Sequence, residues 1–257
     1  LENIPIPVIL VGSQRSSDRP STDSAQNLIH ATRFIKETEF TGVGVCMHAS
    51  ENDDISVILP SCKVRKLHTS RRDAFKAINS PPIATIGEKI TFITKHHPPS
   101  GKFNLKLIKE DIKIGIVKIH PNLYATEIDN YKDFCALIIE GTGLGHAPIE
   151  KTDENSSENI KIFNAIKNLA KKIPVIMTSQ CIFGRVNMNV YSYGRKLLEA
   201  GIINNNSDIT TEAAFIKAAW LLSNHKEEFY SLWNKNLRGE LNDRILPSHY
   251  LDNKEVT

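Results

Sequence analysis

Residues 8–34, VILVGSQRSSDRPSTDSAQNLIHATRF, decide the fold. The apolar run Ile6–Val11, with Pro7 at its start and Gly12 after it, predicts a strand buried on both faces. A small, hydroxyl-rich turn follows. Leu28, Ala31, Phe34 and Ile35 then recur at helical spacing, and Asp23 or Ser24 can cap that helix. Gly42 closes it, and Val43–Met47 predicts the next buried strand. Strand, helix, strand implies a right-handed crossover and a parallel sheet. Ile55–Leu59, closed by Pro60, predicts a shorter strand.

Further along, Ser80-Pro81-Pro82 and HHPPSG at 96–101 are turn or extended signals, and Ile83–Ile93 between them predicts a hairpin or edge strand. After this break the α/β rhythm resumes. Ile114–Ile119, Cys135–Ile139 and Ile173–Thr178 predict strands. Ile160–Lys172, Tyr191–Ala200, a helix capped by Thr210 or Thr211 and running to Ser223, and Phe229–Leu237 predict helices. The chain therefore divides into a first α/β domain at 1–95, a linker at 96–112 and a second α/β domain at 113–257.

The 257 residues suffice for one or two domains, with 40% hydrophobic and 24% charged residues, as in soluble globular chains. No apolar run approaches the roughly 20 residues of a membrane span, and LENIPIPVILVG lacks the basic start of a signal peptide. A net charge of +3 does not mark a nucleic-acid binder, although Lys63–Arg72 is locally basic and is either a phosphate-facing patch or a solvated face. Cys46, Cys62, Cys135 and Cys181 form no CxxC pair. That fits a reducing cytoplasm, with no metal site expected.

Chemistry concentrates in three places. The turn Gly12–Ser21 follows a strand's carboxyl end, where open parallel sheets bind ligands. Ser13, Gln14, Ser16, Ser17 and Ser21 offer polar groups there, and Arg15 and Arg19 offer donor forks. Asp23 can accept from a backbone N–H at the helix start or from an arginine. This is either a polar pocket floor or a turn whose side chains satisfy its own backbone. The second place is KVRKLHTSRRDAFKAIN at 63–79, where Lys66 stands among cations and hydroxyls. Such a lysine is either a proton shuttle with a motive for a depressed pKa or an exposed, inert cation. The third is IEGTGLGHAP at 139–148, a glycine-rich turn that is not GxGxxG. Its glycines allow close backbone approach, and His146 either touches a ligand or fills the loop. HExxH, GxSxG and Walker A patterns do not occur.

Taken in order, VGSQRSSDRPSTD, VRKLHTSRRDAFKAIN, IEGTGLGHAP, GRVNMNVYSYGRKLLEAG and the closing NLRGEL resemble the asparaginase/glutaminase family. Within it they are similar to the tRNA-dependent branch, the asparaginase-like subunits of archaeal glutamyl-tRNA(Gln) amidotransferase. The family pattern G-A-M-R-P followed by S-A-D-G-P-x-N-L matches Gly12-Ser13-Gln14-Arg15, then Ser21-Thr22-Asp23, then Asn27-Leu28. The resemblance implies a two-domain asparaginase-like α/β fold with a larger parallel-sheet first domain and a smaller second one. It implies glutamine hydrolysis, with the ammonia converting Glu-tRNA(Gln) to Gln-tRNA(Gln). A partner E-type subunit would use ATP and Mg to activate the glutamate and would make most of the tRNA contacts. The assembly implied is a homodimer within a cytoplasmic heterotetramer, with no membrane and no cofactor on this chain.

By the same resemblance, Lys66 is the lysine of a Thr-Asp-Lys catalytic set, and Ser13 and Gln14 line the substrate pocket. Gly12 and Asp23 shape the site. Gly145 and His146 belong to the segment that reaches a neighbouring subunit's site, although free asparaginases commonly carry Asn at the position of His146. The family's T-G-G-T and H-G-T-D-T segments, with the nucleophilic threonine, are expected upstream of Leu1. The chain then reads as the carboxyl-terminal part of a longer protein, missing the opening strands of its first sheet and leaving an unpaired edge. Alternatives are a stand-alone L-asparaginase and a non-catalytic truncated form.

Overall fold

The computed structural model describes residues 2–98 and 100–250. Pro99, inside the HHPPSG signal, and residues 251–257, at the end of the expected second domain, lie outside the described residues, as does Leu1. The chain groups into two units, Leu1–Lys106 with Asp243–Thr257, and Leu107–Asn242. The first unit thus gives way to the second between Lys106 and Leu107. From Asp243 the chain groups with the first unit again, where the sequence reading runs the second domain on to residue 257.

The first unit contains β1 (Pro7–Val11), α1 (Ser24–Glu37), β2 (Gly42–His48), β3 (Ser56–Pro60), β4 (Val64–Lys66), β5 (Phe75–Ala77), β6 (Ala84–Ile86) and β7 (Ile90–Phe92). Its main sheet has the order β1-β2-β3-β6-β7. Only β1 and β2 run parallel, with Val8 opposite Val43 and Leu10 opposite Val45; β2–β3, β3–β6 and β6–β7 are antiparallel. The expected parallel sheet is therefore a mixed one. A parallel pair needs a crossover long enough to hold a helix, and α1 supplies one only between β1 and β2; a short turn after His48 permits only an antiparallel return.

The pleat sends alternate residues to two different covers. Cys46 and Ile58 pack with Ala31 and Phe34 of α1, while Val57 and Leu59 pack with Val64, Phe75 and Ala77 of the β4–β5 hairpin. That hairpin is a separate two-stranded element, which the sequence did not predict. β1 ends the sheet and corrects the expectation of a strand buried on both faces. Ile9 joins the α1 side, but Leu10 is 55% exposed on the other. In α1 the inward stripe is Asn27, Ala31 and Phe34. Leu28 and Ile35, expected in that stripe, face outward with Ile29.

The second unit contains β8 (Ile114–Lys118), α2 (Ala125–Asp129), β9 (Ala136–Gly141), α3 (Glu158–Ala170), β10 (Val175–Ser179), α4 (Ser192–Glu199), α5 (Thr211–Asn224) and α6 (Phe229–Trp233). Its sheet is wholly parallel in the order β10-β9-β8. Helices cover both faces, as the continuous apolar runs require. Leu137, Ile139 and Val175 meet Ile162 and Ile166 of α3. Ala136, Ile138 and Ile176 meet Ala214, Ala218 and Leu221 of α5 and Trp233 of α6. Each fully buried Ile or Leu here contributes roughly 1.5–3 kcal/mol. Among the described residues no helix is long and apolar enough to cross a membrane.

Candidate functional site

In the first unit the loop after β1 is built around one buried carboxylate. Asp23 stands just before α1, yet its side chain does not cap the helix. It turns back on the loop, accepting from the Gln14 amide at 3.0 and 3.1 Å and from the Arg15 amide at 3.0 Å. Thr22 Oγ1 donates to the Arg15 carbonyl at 2.9 Å, and Asn27 Nδ2 donates to the Gly12 carbonyl at 2.9 Å. The side chains of Asp23, Thr22 and Asn27 thus hold the loop's backbone. Gln14 differs: its Oε1 is buried without a hydrogen-bond partner among the described residues. Leaving a buried acceptor unmet costs about 1–3 kcal/mol, so this atom marks the loop as a place where a donor belongs. Ser13 is exposed beside it.

Beneath the loop lie residues that the sequence reading did not single out. His48, at the carboxyl end of β2, is fully buried. Its Nδ1 lies 2.7 Å from Asn27 Oδ1 and its Nε2 3.3 Å from Asp53 Oδ1. Arg72 donates to the same Asp53 oxygen and to the Glu51 carbonyl, and its backbone N–H donates to Glu51 Oε1 at 2.8 Å. The signal available in the sequence was a histidine closing an apolar strand at its carboxyl end, where α/β sheets place functional groups. Burial pushes the Cys46 thiol, next to this network, up to about 12, so it is no nucleophile at neutral pH.

The basic stretch is less free than its composition suggests. Arg71 pairs with Asp73 at 2.7 Å, Lys76 with the same carboxylate at 3.3 Å, and Arg72 with Asp53. Lys66, at the end of β4, is exposed, with its ammonium 5.9 Å from the centroid of the Phe75 ring. Among the described residues it shares no hydrogen bond with Ser13 or Gln14. The structure therefore ties the Gly12–Asp23 loop to Arg72 and leaves Lys66 outside that network.

In the second unit the glycine-rich turn follows β9. The Thr142 amide donates to the His146 carbonyl at 2.9 Å, and the His146 amide donates back to the Thr142 carbonyl at 3.0 Å. Gly145 has φ +96°, and a Cβ there would lie 2.8 Å from Val186 Cγ1 and 2.9 Å from Met177 Cγ, so no side chain fits. Ser179 Oγ, at the end of β10, donates to the Gly143 carbonyl at 2.6 Å. The His146 ring meets Tyr191 edge-on at 5.4 Å, and its Nε2 is buried without a partner among the described residues. No group of three or more His, Cys, Asp or Glu that could hold a metal occurs among the described residues.

Comparison with known proteins accounts for both units. Residues 1–98 match the family model described as Asparaginase, N-terminal, and residues 113–229 match the Glutaminase/Asparaginase C-terminal domain. The chain is 40% identical over 260 residues to the D-type subunit of glutamyl-tRNA(Gln) amidotransferase from Methanobrevibacter smithii, covering 96% of this chain and 56% of that protein. It is 41% identical over 248 residues to the corresponding protein of Pyrococcus abyssi, covering 94% of this chain and 54% of that protein. The chain spans just over half the length of the curated relatives it matches. Among solved structures it is similar to the thermostable L-asparaginase from Thermococcus kodakarensis, with a TM-score of 0.82 and 28% identity over 95% of this chain and 70% of that one. The L-asparaginase I from Vibrio cholerae is similar too, with a TM-score of 0.79 and 28% identity over 94% of this chain and 70% of that one. With both of its units matched in order, the chain belongs to the asparaginase/glutaminase family.

Proposed function

We propose that the chain is the amidohydrolase portion of a glutamyl-tRNA(Gln) amidotransferase subunit, releasing ammonia from glutamine. The observation that carries this is near-complete coverage: eight D-type subunits of that enzyme match 93–98% of the chain at 36–41% identity. In this reading a threonine oxygen bonds to the carboxamide carbon of glutamine, the C–N bond breaks to free ammonia, and water then regenerates the hydroxyl. A threonine hydroxyl is a weak nucleophile unaided, and Lys66 is assigned the removal of its proton. Gln14 and Ser13 are assigned contacts to the substrate, and Gly145 and His146 a contact to a neighbouring copy. A partner subunit binds ATP and Mg and presents Glu-tRNA(Gln), and the assembly is a homodimer of this protein within a heterotetramer.

Reading the frame upstream of the Leu1 codon and assaying its product tests this. T-G-G-T and H-G-T-D-T are expected there, together with glutaminase activity that rises when the partner and charged tRNA are added. Lys66→Met should lower kcat by two orders of magnitude or more, within the range for a general base. Asparagine hydrolysis indifferent to partner and tRNA would replace the proposal with a stand-alone asparaginase. A frame without either threonine motif would favour a non-catalytic chain.

A further inference from the structure

The direction of one amide decides where a proton sits. Asn27 Nδ2 donates to the Gly12 carbonyl at 2.9 Å and to Asp23 Oδ2 at 3.2 Å, which turns Oδ1 toward His48. Ser56 Oγ donates to the same Oδ1 at 3.5 Å and lies 2.9 Å from His30 Nδ1. Burial, with Arg33 and His48 nearby, holds His30 below its ordinary value. With an amide oxygen 2.7 Å away, His48 Nδ1 has to be the donor. Across the ring, Nε2 faces Asp53, whose oxygen Arg72 also engages. An unbroken series of polar contacts therefore runs from Arg72 through Asp53, His48, Asn27 and Asp23 to the Gln14 and Arg15 amides. Asn27, His48, Asp23 and Ser56 are all fully buried, so water does not substitute for any of them.

We propose that His48 is a positioning residue that carries a proton on Nδ1 and couples the Asp53–Arg72 pair to the Gln14 loop. The coupling fixes where Gln14 holds its unpaired oxygen, and it lets a disturbance at the basic segment reach the loop without contact between the two. The inference rests on the proposed function only in treating the Gln14 loop as a substrate contact, and its readouts require no turnover.

The first measurement is a long-range ¹H–¹⁵N spectrum of the histidine-labelled 257-residue chain. A protonated Nδ1 on His48 is expected, and a ring protonated at Nε2 alone would overturn the proposal. The second is amide hydrogen exchange at Gln14 and Arg15 in three variants. In His48→Asn the new side-chain amide takes the place of the Nδ1–H donor, so exchange should stay within about threefold of the parent. In His48→Phe the volume is kept and the donor lost, so exchange should accelerate by about 5- to 10-fold, the scale of one net hydrogen bond. A histidine that only fills space would give the opposite order. Arg72→Gln should accelerate the same two amides about fivefold, and unchanged amides would overturn the coupling. Should His48→Phe fail to fold, the ring spectrum and Arg72→Gln still decide. Absence of glutaminase activity in the longer gene product, with these readouts as expected, would count against the proposed function and leave the positioning role intact.

Discussion

Asp23 sits in a fully buried position with the Gln14 and Arg15 amides and the Asn27 side chain directed at its carboxylate. Asp23→Ala should cost about 1–3 kcal/mol, since it strands those donors out of reach of water. Urea denaturation of the chain would measure it, and Asp18→Ala on the exposed part of the same loop should cost under about 0.5 kcal/mol. Gly145→Ala should also destabilise by about 1–3 kcal/mol, because both the positive φ and the crowding by Val186 and Met177 oppose a side chain. The two sites differed in how far the sequence revealed them. Gly145 stood out because glycines in a short turn after a strand announce a backbone need. Asp23 was visible as a polar residue at a helix start, but its target was not, since only tertiary structure brings the Gln14 and Arg15 amides within its reach. His48 was missed because a histidine on a strand carries no local pattern, and Asn27 entered only as part of the family pattern, with no role given to it.

Elements longer than one or two turns were legible wherever their apolar residues formed a stripe or an unbroken run. The parallel strands β8, β9 and β10 and the helices α3 and α5 follow that rule. The three-residue strands β4 and β5 and the five-residue α2 are too short for a period to show. The cap of α5 was visible as well: Thr210 accepts from the Ala213 amide at 3.3 Å, and Thr210→Ala should cost about 1 kcal/mol by thermal or chemical melting. Less visible was what pins the segment after α6 to α5. Lys217 donates to Glu240 and to the Lys235 carbonyl, each at 2.7 Å, and both members of the pair are almost wholly buried. Burial pushes the Glu240 carboxyl up, but Lys217 and the Leu237 and Arg238 amides outweigh it and hold it below its ordinary value of 4.5. A lowered folded value means the stabilisation is present above about pH 4.5 and is lost as pH falls through the folded value. Stability of the parent chain should therefore drop on acidification below that point. Glu240→Ala should remove this part of the acid dependence and cost about 3–5 kcal/mol at neutral pH, because it takes the carboxylate counter-charge from a buried ammonium.

At the scale of the whole molecule the two α/β units were readable, while the mixed character of the first sheet was not, because strand direction is set by loop reach rather than by strand composition. The free side of β1 has a solution consequence. Leu10 and Val11 leave exposed apolar side chains on a strand whose outer side pairs with no other strand among the described residues. The 257-residue chain should self-associate as concentration rises, and Leu10→Lys should return it toward a monomer in sedimentation velocity without altering its circular dichroism. A Leu10→Lys chain that associates as strongly as the parent would show that another surface is responsible. The four thiols add a different consequence. Cys46 is sealed in the first unit, where Cys62 is half-buried; Cys135 is half-buried in the second, and Cys181 is exposed. A maleimide pulse read by mass spectrometry would tag Cys181 at once. Later tags, assigned by peptide, would time the opening of each unit separately, so the molecule carries its own pair of unfolding clocks.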